Sequence, residues 1–167
     1  MNTRAVFCYK ESQTIQKYIL RRIQRSNHRL GVMKNLLDTI GNIMEWEITT
    51  HKSYKYIEIV TKGVADKNDS MEMAKIIADT MRHGRITRAL IDHRNITSVS
   101  GSILDIVERP KLFRIIGLLL GIKLAAIINP DHSEHFKFLE TVCINQGYNY
   151  SVFYDRTKGL KWLLDKN

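Results

Sequence analysis

Cysteine and proline are nearly missing from this chain: its 167 residues hold two of each. The cysteines, Cys8 and Cys143, are far apart and form no metal-ligand spacing, which fits a reduced, cytosolic setting. No apolar run is long enough to cross a membrane. The longest, 112–128, is interrupted by Arg114 and Lys123, is punctuated by Gly117 and Gly121, and falls short of the roughly 20 apolar residues a spanning helix needs. It reads as a buried helix feeding a buried strand. The N-terminus has no compact apolar segment of the kind a secretory signal carries. Also lacking are a glycine-rich phosphate loop, a GxGxxG fingerprint and a nucleophile elbow, so no familiar catalytic motif argues for an enzyme.

What is present is the composition of a soluble globular protein, with 44% hydrophobic and 26% charged residues and enough length for one core. The formal net charge of +9 invites a nucleic-acid reading, but its distribution argues against one. Residues 1–43 hold eight bases and two acids, hence +6, and the rest of the chain carries only +3. Within 1–43, Ile15, Ile19 and Ile23 line up beside Arg21, Arg22 and Arg25. That is the pattern of a basic amphipathic helix, able to lie on an anionic membrane or grip an acidic partner. Membrane contact is expected only through this extension, if it belongs to the native protein.

Further along, Trp46, Ile48 and Thr50 alternate in 44–50, and 54–60 alternates too, so a hairpin is predicted with His51-Lys52-Ser53 between its strands. A polar loop at 61–69 follows. Asp69-Ser70-Met71-Glu72 has capping-box spacing and opens a helix to about His83, ended by Gly84, with Met73, Ile76, Ile77, Thr80 and Met81 facing inward. The run 86–92 has the continuous apolar centre of a covered parallel strand. A polar loop then leads to a helix from about Ser102, which Pro110 ends or restarts and which runs to about Leu120. The strand at 123–129 is broken by Pro130. Asp131-His132-Ser133-Glu134 is a second capping-box spacing, before a helix with Phe136, Leu139, Val142 and Cys143 on its inner stripe. A strand at 148–154 and a helix capped by Asp155, with Leu160, Leu163 and Leu164 inward, complete the chain. The order β-β-α-β-α-β-α-β-α makes an α/β fold with a mixed five-stranded sheet. Partners of such sheets meet the carboxyl ends of the parallel strands, here 92–100, 129–133 and 154–157.

This order, with the stretches YKYIEIVTKGVAD, RALIDHRNIT, IKLAAIINP and YSVFYDRTKGLKWL, resembles the STAS-like domains (the anti-sigma-factor-antagonist fold), in the branch described as STAS/SEC14-like. The resemblance covers roughly Met44 to Leu164, which makes 44–167 the STAS-like domain and 1–43 a basic extension. Met44-Glu45-Trp46 looks like a natural start for the family, so the native start is open between Met1, Met33 and Met44. The resemblance implies a bacterial, cytoplasmic regulatory module that binds a protein partner, catalyses nothing and needs no cofactor. The alternative it leaves is a small-molecule or lipid-binding domain, with a hydrophobic ligand between the helices at 71–81 and 112–120. In the antagonist branch the switch is a serine in an Asp-Ser-Ser-Gly loop after the central strand. Here that place reads Ser100-Gly101-Ser102-Ile103. Ser102 stands in the phosphorylatable position, Ser100 replaces the acid and Ile103 the final glycine.

Ser100 and Ser102 are thus candidate partner contacts or phosphorylation sites. Ser102 also suits a helix N-cap, with Asp105 three residues later, and a phosphate there would meet the positive end of the helix. Asp92, His93, Arg94 and Asn95 form the candidate recognition loop. Asp92 and His93 are adjacent in an extended chain, so they point to opposite faces and do not form an acid–base pair. His132 and His135 are three apart at a helix start, but they lack HExxH spacing and a third ligand, so no metal site is expected. Cys143 lies on an apolar stripe and reads as buried and inert. Tyr54, Tyr56, Tyr148 and Tyr150 read as parts of amphipathic strands.

Overall fold

Five strands follow one another across a single sheet in chain order, β1-β2-β3-β4-β5. The computed structural model describes residues 44–100, 104–108, 114 and 122–165. Strands β1 (Glu45–His51) and β2 (Tyr56–Ala65) form the antiparallel hairpin, and the turn between them holds Lys55 at φ 53°. Strands β3 (Arg88–Val99), β4 (Lys123–Ile127) and β5 (Asn149–Phe153) each add in parallel. Helices α1 (Lys67–Gly84), α2 (Ser133–Asn145) and α3 (Arg156–Leu164) accompany them. Residues 104–108 are helical and stand where the second helix of the expected order begins. The rest of that helix, Ser102 and residues 1–43 lie outside the described residues.

Each parallel crossover steps one strand further in the same direction, so the single handedness of such connections sends the connecting helices to one face. Accordingly, Met73, Ile77, Ala78 and Met81 of α1, Ile106, and Phe136, Leu139 and Cys143 of α2 share one core with Ile48, Ile59, Ile91, Ala126 and Val152. Helix α3 follows the last strand and returns over the other face, where Leu163 packs with Tyr56, Leu90, Ala125 and Ile127. Gly159 lets it come close: a Cβ there would collide with Ile127 and press on Phe153. The helix is pinned further by the Lys123 ammonium, which lies 4.6 Å from the Trp162 ring centre and donates to the Asp165 carbonyl.

Several expected boundaries are corrected. The polar loop at 61–69 is largely strand, because β3 runs beside it and supplies its hydrogen bonds through Ala65. The α1 cap is Asp66, whose carboxylate accepts from the Asp69 N–H at 2.8 Å. Asp69 lies inside the helix and accepts from the Met44 N–H instead, at 3.1 Å. Two acids spaced three apart made the wrong one look like the cap. At the far end Gly84 stays helical, and Arg85 takes the left-handed conformation, at φ 50°. No capping box opens α2: Asn129 caps a short 3-10 turn, Pro130–His132, by accepting from the Asp131 N–H. Of the expected inward stripes, Phe136, Leu139 and Cys143 of α2 and Leu163 of α3 are buried, Leu160 and Leu164 pack half-buried beside Leu163, and Val142 is only half-buried; the Asp155 cap is as expected, accepting from the Lys158 N–H at 2.8 Å. Tyr56, Tyr148 and Tyr150 are buried, while Tyr54 is in the turn and exposed.

Candidate partner-binding surface

The expected recognition loop is not a loop. Asp92, His93, Arg94 and Asn95 continue β3, which extends to Val99. Strand β4 pairs with β3 only as far as Asp92, opposite Ile127. Residues 93–99 therefore project beyond β4 and, among the described residues, pair with β2 alone. Alternation hid this half of the strand because it is broken twice. Val60 faces Asp92 but Lys62 faces Asn95, so His93 and Arg94 together oppose Thr61. A second irregularity falls at Gly63 and Val64, where Gly63 has φ 89°, a conformation that glycine adopts freely. The first shift returns Ile96 to the α1 face, where it is buried.

Just before the bulge, strand alternation sends Asp92 and His93 to opposite faces. His93 turns toward α1 and α2, stacks on Phe136 with ring centres 4.9 Å apart, and places Nδ1 2.8 Å from Thr61 Oγ1. That hydroxyl donates to the Asp92 carbonyl, so Nδ1 carries the proton and donates to Thr61. Asp92 turns toward the α3 face. Its carboxylate receives the Arg94 guanidinium in a fork, with Nε at 2.9 Å and Nη2 at 2.6 Å, and also accepts from the Arg94 backbone N–H. Burial alone would raise the Asp92 carboxyl; the Arg94 side chain and N–H, with His93 nearby, outweigh it and hold the group below the ordinary carboxylate range. Asp92 and His93 lie on opposite faces of the sheet. One carboxylate is spent on a guanidinium, and the imidazole is buried on the other side of the sheet.

Nearby, the Arg156 guanidinium forks onto Glu58, with Nε at 2.9 Å from Oε1, and His51 lies 3.0 Å from the same carboxylate while stacking on Tyr56. Burial and the Glu58 charge push the Tyr56 hydroxyl up. No local motif announced this cluster, since Glu58 and Arg156 are 98 residues apart. Around these anchored pairs, Arg94, Asn95, Thr97, Ser98 and Ser100 are exposed. Thr97 and Ser98 join the surface because the strand continues beneath them. Ser100 closes the strand: its N–H and its hydroxyl both donate to the Ala65 carbonyl, at 2.9 and 3.3 Å. Ser102 is outside the described residues. Just beyond, Lys67 ties the start of α1 to Asp105 at 2.8 Å. On the side that β4 leaves open, His132 Nε2 sits 3.1 Å from the Ile96 carbonyl. This surface offers a guanidinium, an amide and three hydroxyls on a paired backbone: groups for recognition by hydrogen bonding.

Among solved structures the chain is similar to an anti-sigma factor antagonist from Mycobacterium paratuberculosis, with a TM-score of 0.52 and 10% identity over 74% of this chain and 96% of that one. The fold is STAS-like. An uncharacterised protein with a SpoIIAA-like fold from Shewanella loihica aligns with a TM-score of 0.49 and 20% identity, over 73% and 96% of the two chains. The anti-sigma factor antagonist SpoIIAA in its unphosphorylated form aligns at 0.40 and 10%, over 71% and 95%. No family model and no curated protein matches the chain.

The hydrophobic-ligand alternative is not supported. Beside the helix at 71–81 there is an apolar cavity of about 60 Å³, lined by Met71, Met73, Ile77, His93, Phe136 and Tyr150. Ligand pockets measure roughly 300–1,000 Å³, so this one is too small for a lipid. The 112–120 wall expected for it lies outside the described residues. Among the described residues no helix is long and apolar enough to cross a membrane, and no three acid, histidine or cysteine groups converge as metal ligands. Cys143 is buried on the inner stripe of α2.

Proposed function

We propose that this chain is a regulatory protein-interaction module of the STAS-like type, without catalysis of its own, working in the cytoplasm of a bacterial cell. One observation carries the reading: the outer half of β3 presents exposed polar groups on a backbone already fixed by pairing with β2. Side chains so held lose little conformational freedom on binding, which favours a protein partner read by shape and hydrogen bonds. The likeness to an anti-sigma factor antagonist supports a partner of the regulatory kind. Residues 44–167 are the working domain in this reading, and the recognition residues are Arg94, Asn95, Thr97, Ser98 and Ser100. Ser100 and Ser102 are the positions at which a phosphate, carrying roughly −1.5 to −2 charge, would change the surface.

The test is affinity capture with the full chain, comparing wild type with Arg94→Ala/Asn95→Ala and with Lys75→Ala, an exposed change on α1. Proteins retained by wild type and by Lys75→Ala, but lost from the double variant, support the reading. Equal retention by all three would sink it. Phosphopeptide mapping of the cellular protein, with Ser100→Asp and Ser102→Asp in the same capture, tests the serines separately.

A further inference from the structure

The two edges of the sheet are finished differently. At the β5 edge the Glu140 carboxylate accepts from the Val152 backbone N–H at 2.7 Å and from the Ser151 hydroxyl at 2.9 Å, and the Lys137 ammonium reaches the Val152 carbonyl. Those side chains occupy backbone groups on which another strand would pair. At the other edge β1, seven residues long, pairs with β2 alone among the described residues. Its charges are sorted by sign along its length. Glu45 and Glu47 stand at one end, and Lys52 and Lys55 stand in the turn that follows the other, beyond His51, which Glu58 holds. The glutamates and lysines are exposed, while Trp46, between the two glutamates, and Ile48, after them, lie on the α1 side.

We propose that β1 is the interface of an isologous homodimer, in which the β1 strands of two copies pair antiparallel about a two-fold axis near Ile48. Glu45 of each copy then comes opposite His51 of the partner subunit, which Glu58 holds in each copy, so the charge match rests on the turn lysines, Lys52 and Lys55, beside the other copy's glutamates. A parallel pairing would stack acid on acid and base on base. Opposite charges directly across two strands stabilise the pair and like charges destabilise it, so the sorted charges select both the occupant and its direction. Glu45 already touches Lys62 at 2.9 Å, but both groups are about two-thirds exposed, and such a pair exchanges at little cost. The interface leaves the outer half of β3 untouched, since β2 lies between them. Loss of dimerisation and loss of partner capture are therefore separate results.

Sedimentation equilibrium of the full chain tests this. The expected result is a wild-type dimer that Glu45→Lys/Glu47→Lys weakens by at least roughly tenfold, as does Lys52→Glu/Lys55→Glu. An equal mixture of the two variants recovers a dimer, because each then supplies the sign the other needs. Far-UV circular dichroism checks that the variants fold. Hydrogen exchange on the wild type gives an answer without any variant: β1 amides become more protected as protein concentration rises. A wild-type monomer across the concentration range, a dimer indifferent to both reversals, or a mixture that fails to recover association overturns the proposal.

Discussion

As far as Asp92, β3 runs between two neighbours, and Ala89 and Leu90 are wholly buried; from His93 to Val99 only β2 among the described strands pairs with it, and four of those seven residues are exposed. The inner half is set by apolar contact on both faces. The outer half inherits its conformation from that anchored half and from the joint at Thr61, Asp92 and His93. A polar surface can thus be rigid without a core of its own, and rigidity is what a recognition surface needs to bind without first ordering itself.

Four changes break or sharpen this contrast. Leu90→Ala strikes the inner half, where a fully buried leucine is lost; urea denaturation should show a cost of about 2–5 kcal/mol. Thr61→Val strikes the joint. It removes the hydroxyl shared by the Asp92 carbonyl and His93, and should cost about 1–3 kcal/mol, with faster amide exchange confined to 93–99. Arg94→Ala reaches the surface end of the buried carboxylate. Because Arg94 is itself half exposed, the expected cost is only about 1 kcal/mol. The pH dependence has a definite sign. Asp92 is depressed in the folded state, so the pair's contribution is fully present above the unfolded value of roughly 3.9 and is lost as pH falls through the lower folded value. Denaturation series run toward acid should therefore show wild type and Arg94→Ala converging. The smallest stability change is expected for Thr97→Ala/Ser98→Ala, within about 0.5 kcal/mol, while partner capture falls as it does for Arg94→Ala/Asn95→Ala. If that double change unfolded the chain, the outer half would belong to the core after all.

The helices were the more legible part. Phe136, Leu139 and Cys143, or Leu160 and Leu163, recur at helical spacing, and that spacing is set within one segment by its own geometry. Their caps were less so: Asp66 and Asp69 are equally good cap residues in sequence, and only the path of the chain from Ala65 decides between them. At the other end of that helix Arg85, not Gly84, took the left-handed turn.

By itself the sequence determined the order of elements, the hairpin and the mixed sheet, because apolar residues repeating at two or at 3.6 positions must be buried on one side. It also placed the proposed recognition residues, Asp92 to Asn95, at the end of the central strand. The tertiary structure decided that this end is strand and not loop. A strand exists by its partner's hydrogen bonds, and a polar stretch with two breaks in alternation cannot display them alone. It decided as well that Asp92 belongs to Arg94, that His93 belongs to Thr61 and Phe136, and that Glu58 meets Arg156. Those pairings depend on which face each residue occupies beside a bulge and on how far a helix returns across the sheet, and both are properties of the folded chain.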